Sequence, residues 1–263
     1  MIKANISNKQ TKFLKMHGLG NDFVILDGRS SKLSLTPRLV ISLADRNFGV
    51  GFDQLGIIFE TKTPNTEARV EFWNADGTMS ATCGNATRCI ARILMNEKKT
   101  SAINIVSGHR ILKCVKLIDN TVTVNMGPAL FSWRDIPLSE PCDTLHLPIE
   151  GDPVATSIGN PHCTFFVDSL EDCSIEALGK NYENHSLFPS KTNVQIAEVL
   201  NKSSIKIRVW ERGVGLTKAS GSSACAVASA SLRRNLTDKK VKIILDGGVL
   251  DVEIAKDGIW MAG

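Results

Sequence analysis

The segment VEFWNADGTMSATCGNATRCIARI (residues 70–93) decides the fold, because its pattern returns as IRVWERGVGLTKASGSSACAVASA in residues 207–230. In both segments a tryptophan in an apolar, β-branched stretch lies ten positions before the residue that opens an alanine-rich run. That residue is Cys83 in the first segment and Ser220 in the second. The alanine-rich runs have helical spacing, so each segment predicts a strand, a polar loop and a helix.

A Gly-Asn pair precedes each segment and extends the match. Asn21 lies in GLGNDFVILD (18–27) and Asn160 in SIGNPHCTFFVD (157–168), at similar distances from the two tryptophans. Landmarks that keep their order in two halves of a chain indicate an internal duplication. We therefore expect two similar, pseudo-symmetric domains with the active site in the cleft between them. Two unrelated strand–turn–helix units are the alternative.

Short β-branched segments bounded by turn residues predict most of the other strands, and PRLVISLADRN predicts a further helix. The repeated order strand–strand–helix–strand differs from a doubly wound sheet, so we expect an α+β fold with mixed or antiparallel sheets. The proline-containing segment 126–143 interrupts the pattern. The expected domains are residues 1–128 and 129–249, and the last strand, at about 250–263, is expected to complete the first domain.

Composition limits the classes of function. The 263 residues are 43% apolar and 22% charged, as in an ordinary soluble globular protein. A net charge of +4 spread along the chain, with few aromatic residues, argues against a nucleic-acid surface. No apolar run has the length of a membrane helix, and the polar sequence MIKANISNKQTKF lacks the apolar part of a signal peptide. We expect a cytoplasmic protein that binds neither nucleic acid nor membrane.

Seven cysteines, an odd number spread along the chain, indicate free thiols in a reducing compartment. They form no C-x-x-C pair, and no histidines have metal-ligand spacing, so no metal site is expected. Five cysteines lie inside predicted helices or on or beside predicted strands, which favours a place in the core. These five are Cys89, Cys114, Cys163, Cys173 and Cys225.

Cys83 differs, because it stands between a polar loop and a helix start. The positive end of a helix dipole lowers the pKa of a thiol from about 8.5 and favours the thiolate. The unpaired N–H groups of the same turn, at Gly84 and Asn85, are suited to hold a carboxylate. Two thiols, one in each half, would act as a pair of acid–base groups. One removes a proton from one face of a carbon acid, and the other returns a proton to the opposite face. A small buried cysteine at a turn is the alternative for Cys83.

Six motifs cover nearly the whole chain in a fixed order: KMHGLGNDFVILD (15–27), DRNFGVGFDQLGII (45–58), FWNADGTMSATCGNATRC (72–89), IGNPHCTFFV (158–167), KTNVQ (191–195) and RVWERGVGLTKASGSSACA (208–226). Together they resemble the diaminopimelate epimerase family. The resemblance implies a cofactor-free isomerase that interconverts LL- and meso-2,6-diaminopimelate in lysine and peptidoglycan-precursor synthesis. It also implies two α/β domains, each a sheet wrapped around a central helix, and a homodimer.

The resemblance implies roles for the residues at matching positions. Cys83 matches one catalytic cysteine, and Ser220 occupies the place of the second. His162 and Glu211 match polar residues that support the catalytic pair. The positions matched to substrate binding are Asn21, Gln54, Asn74, Asn160, Asn193, Glu211 and Arg212. The positions matched to carboxylate binding at the two helix N-termini are Gly84, Asn85, Gly221 and Ser222. Turn formation by the asparagines and a surface ion pair of Glu211 with Arg212 are the alternatives.

Two positions depart from the family pattern. Many members have glutamate where this chain has Leu216. Ser220 is the more serious departure, because a hydroxyl does not ionise near neutral pH and cannot exchange roles with a thiolate. We therefore expect a very poor epimerase. The alternatives are a one-cysteine relative that acts as a hydroxyproline-type dehydratase or racemase, and a non-catalytic protein that binds a diamino diacid.

Overall fold

The structure is a computed structural model that describes residues 11–30, 33–80 and 83–263. In these residues, sixteen strands and four α-helices confirm the expected α+β class. The chain divides into two compact units, the first ending at Val124 and the second running from Asn125 to Gly263. The domain limits expected from the sequence, including the placement of the last strand, stay predictions.

Unit 1 holds one mixed sheet with two helices. Its strands are β1 (Phe13–Gly18), β2 (Asn21–Asp27), β3 (Gln54–Phe59), β4 (Ala68–Asn74), β5 (Met79–Ser80), β6 (Ala102–Ser107), β7 (Arg110–Lys116) and β8 (Val122–Asn125). Its helices are α1 (Pro37–Ala44) and α2 (Gly84–Lys98). The strand order is β1-β2-β3-β4-β6-β7-β8, and the short β5 pairs with β4.

Unit 2 has the same content. Its strands are β9 (Val154–Ser157), β10 (Pro161–Val167), β11 (Asn193–Asn201), β12 (Ser204–Glu211), β13 (Gly215–Thr217), β14 (Lys240–Leu245), β15 (Gly248–Ala255) and β16 (Gly258–Ala262). Its helices are α3 (Ile175–Tyr182) and α4 (Gly221–Arg233). The strand order is β9-β10-β11-β12-β14-β15-β16, and β13 pairs with β12.

The two units repeat one pairing scheme. In both sheets the successive pairs are antiparallel, parallel, antiparallel, parallel, antiparallel and antiparallel. Registers agree as well, because Phe23 lies opposite Gln54 on β2 and β3, and His162 lies opposite Asn193 on β10 and β11. The duplicated order agrees with the internal repeat in the sequence.

One helix is central in each unit. Helix α2 packs against β1, β2, β3, β6 and β7, and α4 packs against β9, β10, β11, β14, β15 and β16. Ten of the 13 residues of α4 are buried, and most are Ala, Ser or Gly. Small side chains let strands approach a helix closely, and burial on every side is typical of a helix inside a core. None of the helices in the described ranges is long and apolar enough to cross a bilayer.

The cysteines expected in the core are buried with one exception. Cys89, Cys114, Cys163 and Cys225 are buried. Cys173 was expected in the core on or beside a strand, and this prediction is wrong. It follows a short 3-10 turn, Leu170–Asp172, and is only partly buried against the core of unit 2.

Candidate active site

Cys83 is the N-cap of α2. Its backbone is extended, with φ −141° and ψ 105°, and its Sγ accepts a hydrogen bond from the Ala86 N–H across 3.4 Å. The Thr87 N–H donates to the Cys83 carbonyl across 2.8 Å and begins the helical ladder. The sulfur therefore takes the place that a serine or aspartate oxygen usually fills. A thiolate at this position is stabilised by the positive end of α2.

The buried cysteines have a different environment. Burial raises the pKa of Cys89 to about 11 and that of Cys114 to about 12. Burial also raises the pKa of Cys163. These thiols stay protonated at neutral pH, so they act as apolar packing groups.

Ser220 is the N-cap of α4 and is the counterpart of Cys83. Its backbone is extended, with φ −139° and ψ 118°, and the Ala224 N–H donates to its carbonyl across 3.0 Å. All residues of α4 are described, and the Ser220 side chain makes no capping bond to them. Its Oγ instead donates to Glu211 Oε2 across 3.2 Å. A buried hydroxyl beside a carboxylate thus stands where unit 1 has a thiol.

The first turns of α2 and α4 both have backbone N–H groups that are suited to bind an anion. Among the first-turn amides of α2, the Ala86 N–H is bound to the capping sulfur. The N–H groups of Gly84 and Asn85 precede it, as those of Gly221 and Ser222 do in α4, and such groups lack acceptors within their helix. Neither helix, described throughout, has an acidic residue in its first turn. Each start is therefore suited to bind a carboxylate.

In unit 1, two predicted asparagines belong to one hydrogen-bonded chain. Asn85 Nδ2 donates to Asn21 Oδ1 across 3.3 Å, and Asn21 Nδ2 donates to Asp53 Oδ2 across 2.9 Å. The buried Arg88 donates from Nη2 to Asn85 Oδ1 across 3.0 Å. Each amide has one defined orientation as a result, since its oxygen and nitrogen meet groups of opposite character.

Asp53 is held by a cluster of charges. Arg46 Nη2 lies 2.7 Å from Asp53 Oδ1 and 2.8 Å from Asp22 Oδ1. Lys15 Nζ lies 2.6 Å from Asp22 Oδ2. Burial by itself would raise the pKa of Asp22, but the hydrogen bonds from Arg46 and Lys15 hold it well below its usual range. Asp22 is therefore ionised at neutral pH, and the cluster supports the start of β2, where Asn21 lies.

A second amide pair lies at the ends of β3 and β4. Gln54 and Asn74 are opposite each other in the register, and Gln54 Nε2 donates to Asn74 Oδ1 across 2.8 Å. Asn74 Nδ2 donates to Thr78 Oγ1 across 3.0 Å. The structure therefore brings the predicted residues of unit 1 together in two contacts, Asn21 with Asn85 and Gln54 with Asn74.

In unit 2, Asn193 positions the backbone beside Glu211. The buried Asn193 accepts from the Arg212 N–H at Oδ1 across 3.0 Å and donates from Nδ2 to the Pro161 carbonyl across 2.8 Å. Arg212 Nη1 donates to the Ser190 carbonyl across 2.9 Å. The Asn193 amide thus ties the start of β10 to the turn after β12, where the charged pair Glu211-Arg212 lies.

Glu183 also supports this turn and was not foreseen from the sequence. It is buried at the C-terminal end of α3, and its carboxylate accepts from Trp210 Nε1 across 2.7 Å and from the Gly213 N–H across 3.0 Å. Lys191 Nζ lies 3.7 Å from the same carboxylate. A buried carboxylate with these partners holds both sides of Glu211 and Arg212.

His162 is fully buried on β10. Its Nε2 lies 3.0 Å from Asn160 Oδ1, and its Nδ1 lies 3.1 Å from Gln195 Nε2. Burial, together with the positive charge of Arg212, lowers the pKa of His162 to about 3. The ring is therefore neutral at physiological pH.

Two of the residues that sequence reasoning missed lie next to predicted site residues in the sequence, and a third does not. Asp53 stands directly before Gln54, and Gln195 lies two positions after Asn193 and so on the same face of β11. Glu183 has no such signal, because it lies 27 positions from Trp210. Among the described residues, no group of three or more His, Cys, Asp or Glu side chains is arranged to hold a metal ion.

The fold and sequence match known proteins over nearly their whole length. The family model for diaminopimelate epimerase matches residues 13–132 and 154–263. The chain is similar to a diaminopimelate epimerase of Rhodospirillum centenum, with 43% identity over 257 residues, 96% of this chain and 88% of the relative. It is similar to a diaminopimelate epimerase of Wolbachia sp. subsp. Drosophila simulans, with 45% identity over 258 residues, 95% of each chain.

Solved structures share the architecture at low identity. A predicted epimerase from Pseudomonas aeruginosa has a TM-score of 0.69 at 17% identity, covering 96% of this chain and 95% of that one. A hydroxyproline epimerase from Agrobacterium vitis, with bound trans-4-OH-L-proline, has a TM-score of 0.69 at 12% identity, covering 95% and 86%. These similarities show the fold. The family model and the relatives above 40% identity show more: the chain belongs to the diaminopimelate epimerase family.

Proposed function

We propose that this protein is an isomerase that moves a proton at an α-carbon of 2,6-diaminopimelate without a cofactor, in lysine and peptidoglycan-precursor synthesis. Relatives above 40% identity over nearly the whole chain are named diaminopimelate epimerase, which supports the choice of substrate. The observation that carries the proposal is that Cys83 and Ser220 are the N-caps of equivalent helices in a duplicated fold. A two-base epimerase needs one acid–base group for each face of the carbon.

The reaction begins at Cys83 in this proposal. Its thiolate takes the α-proton, so that the C–H bond breaks, an S–H bond forms and the electron pair stays on the substrate. The resulting charge extends into the α-carboxylate, which the N–H groups of Gly84 and Asn85 are suited to stabilise. Inversion then requires a proton from the opposite face.

Ser220 makes this second step slow. Its hydroxyl donates to Glu211 Oε2, and loss of a proton to a carbanion would leave an alkoxide beside a carboxylate. An alkoxide is far less stable than a thiolate near neutral pH. We therefore propose a one-sided catalyst that exchanges the α-proton at the face served by Cys83 and inverts the centre very slowly.

The polar residues of both units are proposed to bind the substrate. Arg212 is suited to a forked contact with the distal carboxylate, and Glu211 to an ammonium group. Asn193 acts on this turn through the Arg212 backbone. The amide side chains proposed to bind the ammonium and carboxylate groups are those of Asn21, Gln54, Asn74 and Asn160, and Gly221 and Ser222 are proposed to bind a carboxylate at the N-terminus of α4.

The decisive experiment compares the protein with its Ser220→Cys variant. LL-diaminopimelate is incubated in D₂O with each, and deuterium incorporation and meso product are measured by NMR. We expect Ser220→Cys to raise the rate of inversion by roughly 10²- to 10⁴-fold, because it restores an acid–base group. The protein with Ser220 should introduce deuterium without much inversion.

Controls separate the proposed activity from the alternatives. Cys83→Ala in the Ser220→Cys background should abolish exchange, whereas Cys142→Ser should not. If Ser220→Cys neither exchanges nor inverts diaminopimelate, the proposal is wrong. Water release from hydroxyproline would identify a dehydratase, and tight binding of diaminopimelate without exchange in either protein would identify a binding protein.

We also propose that the protein acts in the cytoplasm as a homodimer. All seven cysteines are free thiols, which suits a reducing compartment. The dimer follows from the family resemblance, and sedimentation at micromolar concentration tests it, since a single species of 28.6 kDa would contradict it.

A further inference from the structure

A network of buried polar side chains contacts Asn160 through His162. Its members His162, Thr164, Gln195 and Ser223 are each 0% exposed and lie on β10, β11 and α4. Gln195 is at the centre. Its Nε2 lies 3.1 Å from His162 Nδ1 and 3.1 Å from Ser223 Oγ, and its Oε1 accepts from Thr164 Oγ1 across 3.2 Å. Buried polar groups in such a network stabilise one arrangement of donors and acceptors.

The direction of these bonds determines the tautomer of His162. An amide nitrogen only donates, so the Nδ1 atom that faces Gln195 Nε2 accepts and carries no proton. The single proton of the neutral ring is then on Nε2, which donates to Asn160 Oδ1 across 3.0 Å. A neutral ring agrees with the pKa of about 3 that burial and the charge of Arg212 give His162.

We propose that Gln195 is a positioning residue that holds His162 as the Nε2–H tautomer and, through it, turns the Asn160 amide so that Nδ2 is presented to the ligand. Since the imidazole takes Asn160 Oδ1, the side chain offers a donor and recognises an acceptor such as a carboxylate oxygen. His162 sets the polarity of Asn160 in this arrangement and exchanges no proton with the substrate. The role of Asn160 in ligand binding rests on the proposed function, whereas the tautomer of His162 does not.

The equivalent asparagine of unit 1 has the opposite polarity. Asn21 Nδ2 donates to Asp53, and Asn21 Oδ1 accepts from Asn85. The supporting residue Asp53 therefore binds the amide nitrogen of Asn21, whereas His162 binds the amide oxygen of Asn160. The position equivalent to His162 is Phe23, which has no polar atom to offer. The duplicated fold therefore supports its two asparagines by different means, a carboxylate in unit 1 and an imidazole in unit 2.

The test uses the full chain labelled with ¹⁵N-histidine, and His162→Gln assigns the signals. In the protein itself, His162 Nδ1 should give an unprotonated-nitrogen signal and Nε2 a protonated one, unchanged between about pH 6 and 9. Gln195→Glu places an acceptor against Nδ1 and should convert that nitrogen to the protonated type. Ser223→Ala is the matched control, because it removes another bond of the same buried amide and should leave the tautomer unchanged.

Two results would overturn the proposal. A protonated Nδ1 in the unsubstituted protein would mean that the Gln195 amide has the opposite orientation. An unprotonated Nδ1 in folded Gln195→Glu would mean that Gln195 does not control the ring. If Gln195→Glu fails to fold, the signal of the unsubstituted protein decides.

Ligand binding tests the second step. Gln195→Leu should lower the affinity for diaminopimelate about tenfold, since Asn160 is then no longer held as a donor. Ser223→Ala should lower it much less, and equal losses in the two variants would contradict the positioning role. If the unsubstituted protein binds no diaminopimelate, the proposed function fails, while the nitrogen signals still test the tautomer.

Discussion

Ser220 Oγ donates a hydrogen bond to Glu211 Oε2 across 3.2 Å, at the N-terminus of the buried helix α4. Ser220 is only 4% exposed, and Glu211 is partly buried. A thiol at position 220 would find the same carboxylate ready to accept its proton. Glu211 is thus placed to act on the group at position 220.

The first prediction concerns this pair. In the Ser220→Cys background, Glu211→Gln should lower kcat for inversion by about 10²-fold or more, because the thiol loses the carboxylate that exchanges protons with it. In the protein with Ser220, the same substitution should change the exchange rate by much less. A double-mutant cycle on exchange and inversion rates measures this coupling. Glu171→Gln, which removes an exposed carboxylate, is the control, and equal factors in the two backgrounds would contradict the role of Glu211.

The second prediction concerns thiol reactivity. Cys83 should react with iodoacetamide before the other cysteines, because it is half-buried at a helix N-terminus. Burial and the nearby charges of Glu140 and Asp143 raise the pKa of Cys142, so this thiol should react more slowly. Peptide mapping by mass spectrometry over time measures the order. Faster alkylation of Cys142 than of Cys83 would show that α2 does not activate its N-cap.

The third prediction tests the support of Asn21. Asp53→Asn should weaken diaminopimelate binding about tenfold, because Asn21 Nδ2 and Arg46 both lose a charged partner. Asp27→Asn removes a carboxylate from an exposed ion pair with Arg29 and should leave affinity nearly unchanged. Titration calorimetry on both variants gives the comparison. Similar affinities for Asp53→Asn and Asp27→Asn would exclude a positioning role for Asp53.

The fourth prediction follows from the neutral, buried His162. Its pKa is about 3 in the folded protein, against about 6.5 in an unfolded chain. Between these values the unfolded chain binds a proton that the folded protein does not, so the free energy of unfolding falls as the pH falls below about 6.5. The loss should reach on the order of a few kcal/mol near pH 4.

Urea unfolding at a series of pH values measures this effect. His162→Gln should flatten the pH dependence between about pH 4 and 6.5. His146→Gln changes a histidine whose side chain is 53% exposed and should preserve most of the slope. An unchanged slope in a folded His162→Gln variant would show that other groups cause the acid destabilisation.

The fifth prediction reverses a usual rule for helices. Replacing glycine by alanine inside a helix ordinarily stabilises it by about 1 kcal/mol. In α3, however, a Cβ atom on Gly179 would overlap the indole ring of Trp210. Gly179→Ala should therefore destabilise the protein by about 1–3 kcal/mol, measured by urea unfolding, and disturb the bond from Trp210 to Glu183. Lys180→Ala on the exposed side of α3 is the control, and a stabilised Gly179→Ala variant would contradict the close packing.

The sequence by itself determined the duplication, the two central helices and the two N-cap positions. These features rest on local patterns: helical spacing, β-branched strands and a constant distance from tryptophan to helix start. The motifs also identified the family and the loss of the second thiol at Ser220, because residue type at one position decides whether a group titrates near neutral pH.

The tertiary structure alone decided how the polar side chains support one another. Asn21 meets Asp53 across 32 positions, His162 meets Gln195 across 33, and Trp210 meets Glu183 across 27. These pairs depend on strand register and on which polar groups are buried next to each other. The local periodicity of the sequence gives neither kind of information. The same burial makes His162 neutral, so the polarity of Asn160 is a property of the folded chain. The sequence predicts the residues of the site, and the packing of strands and helix decides which hydrogen-bonding atoms of these residues are already taken.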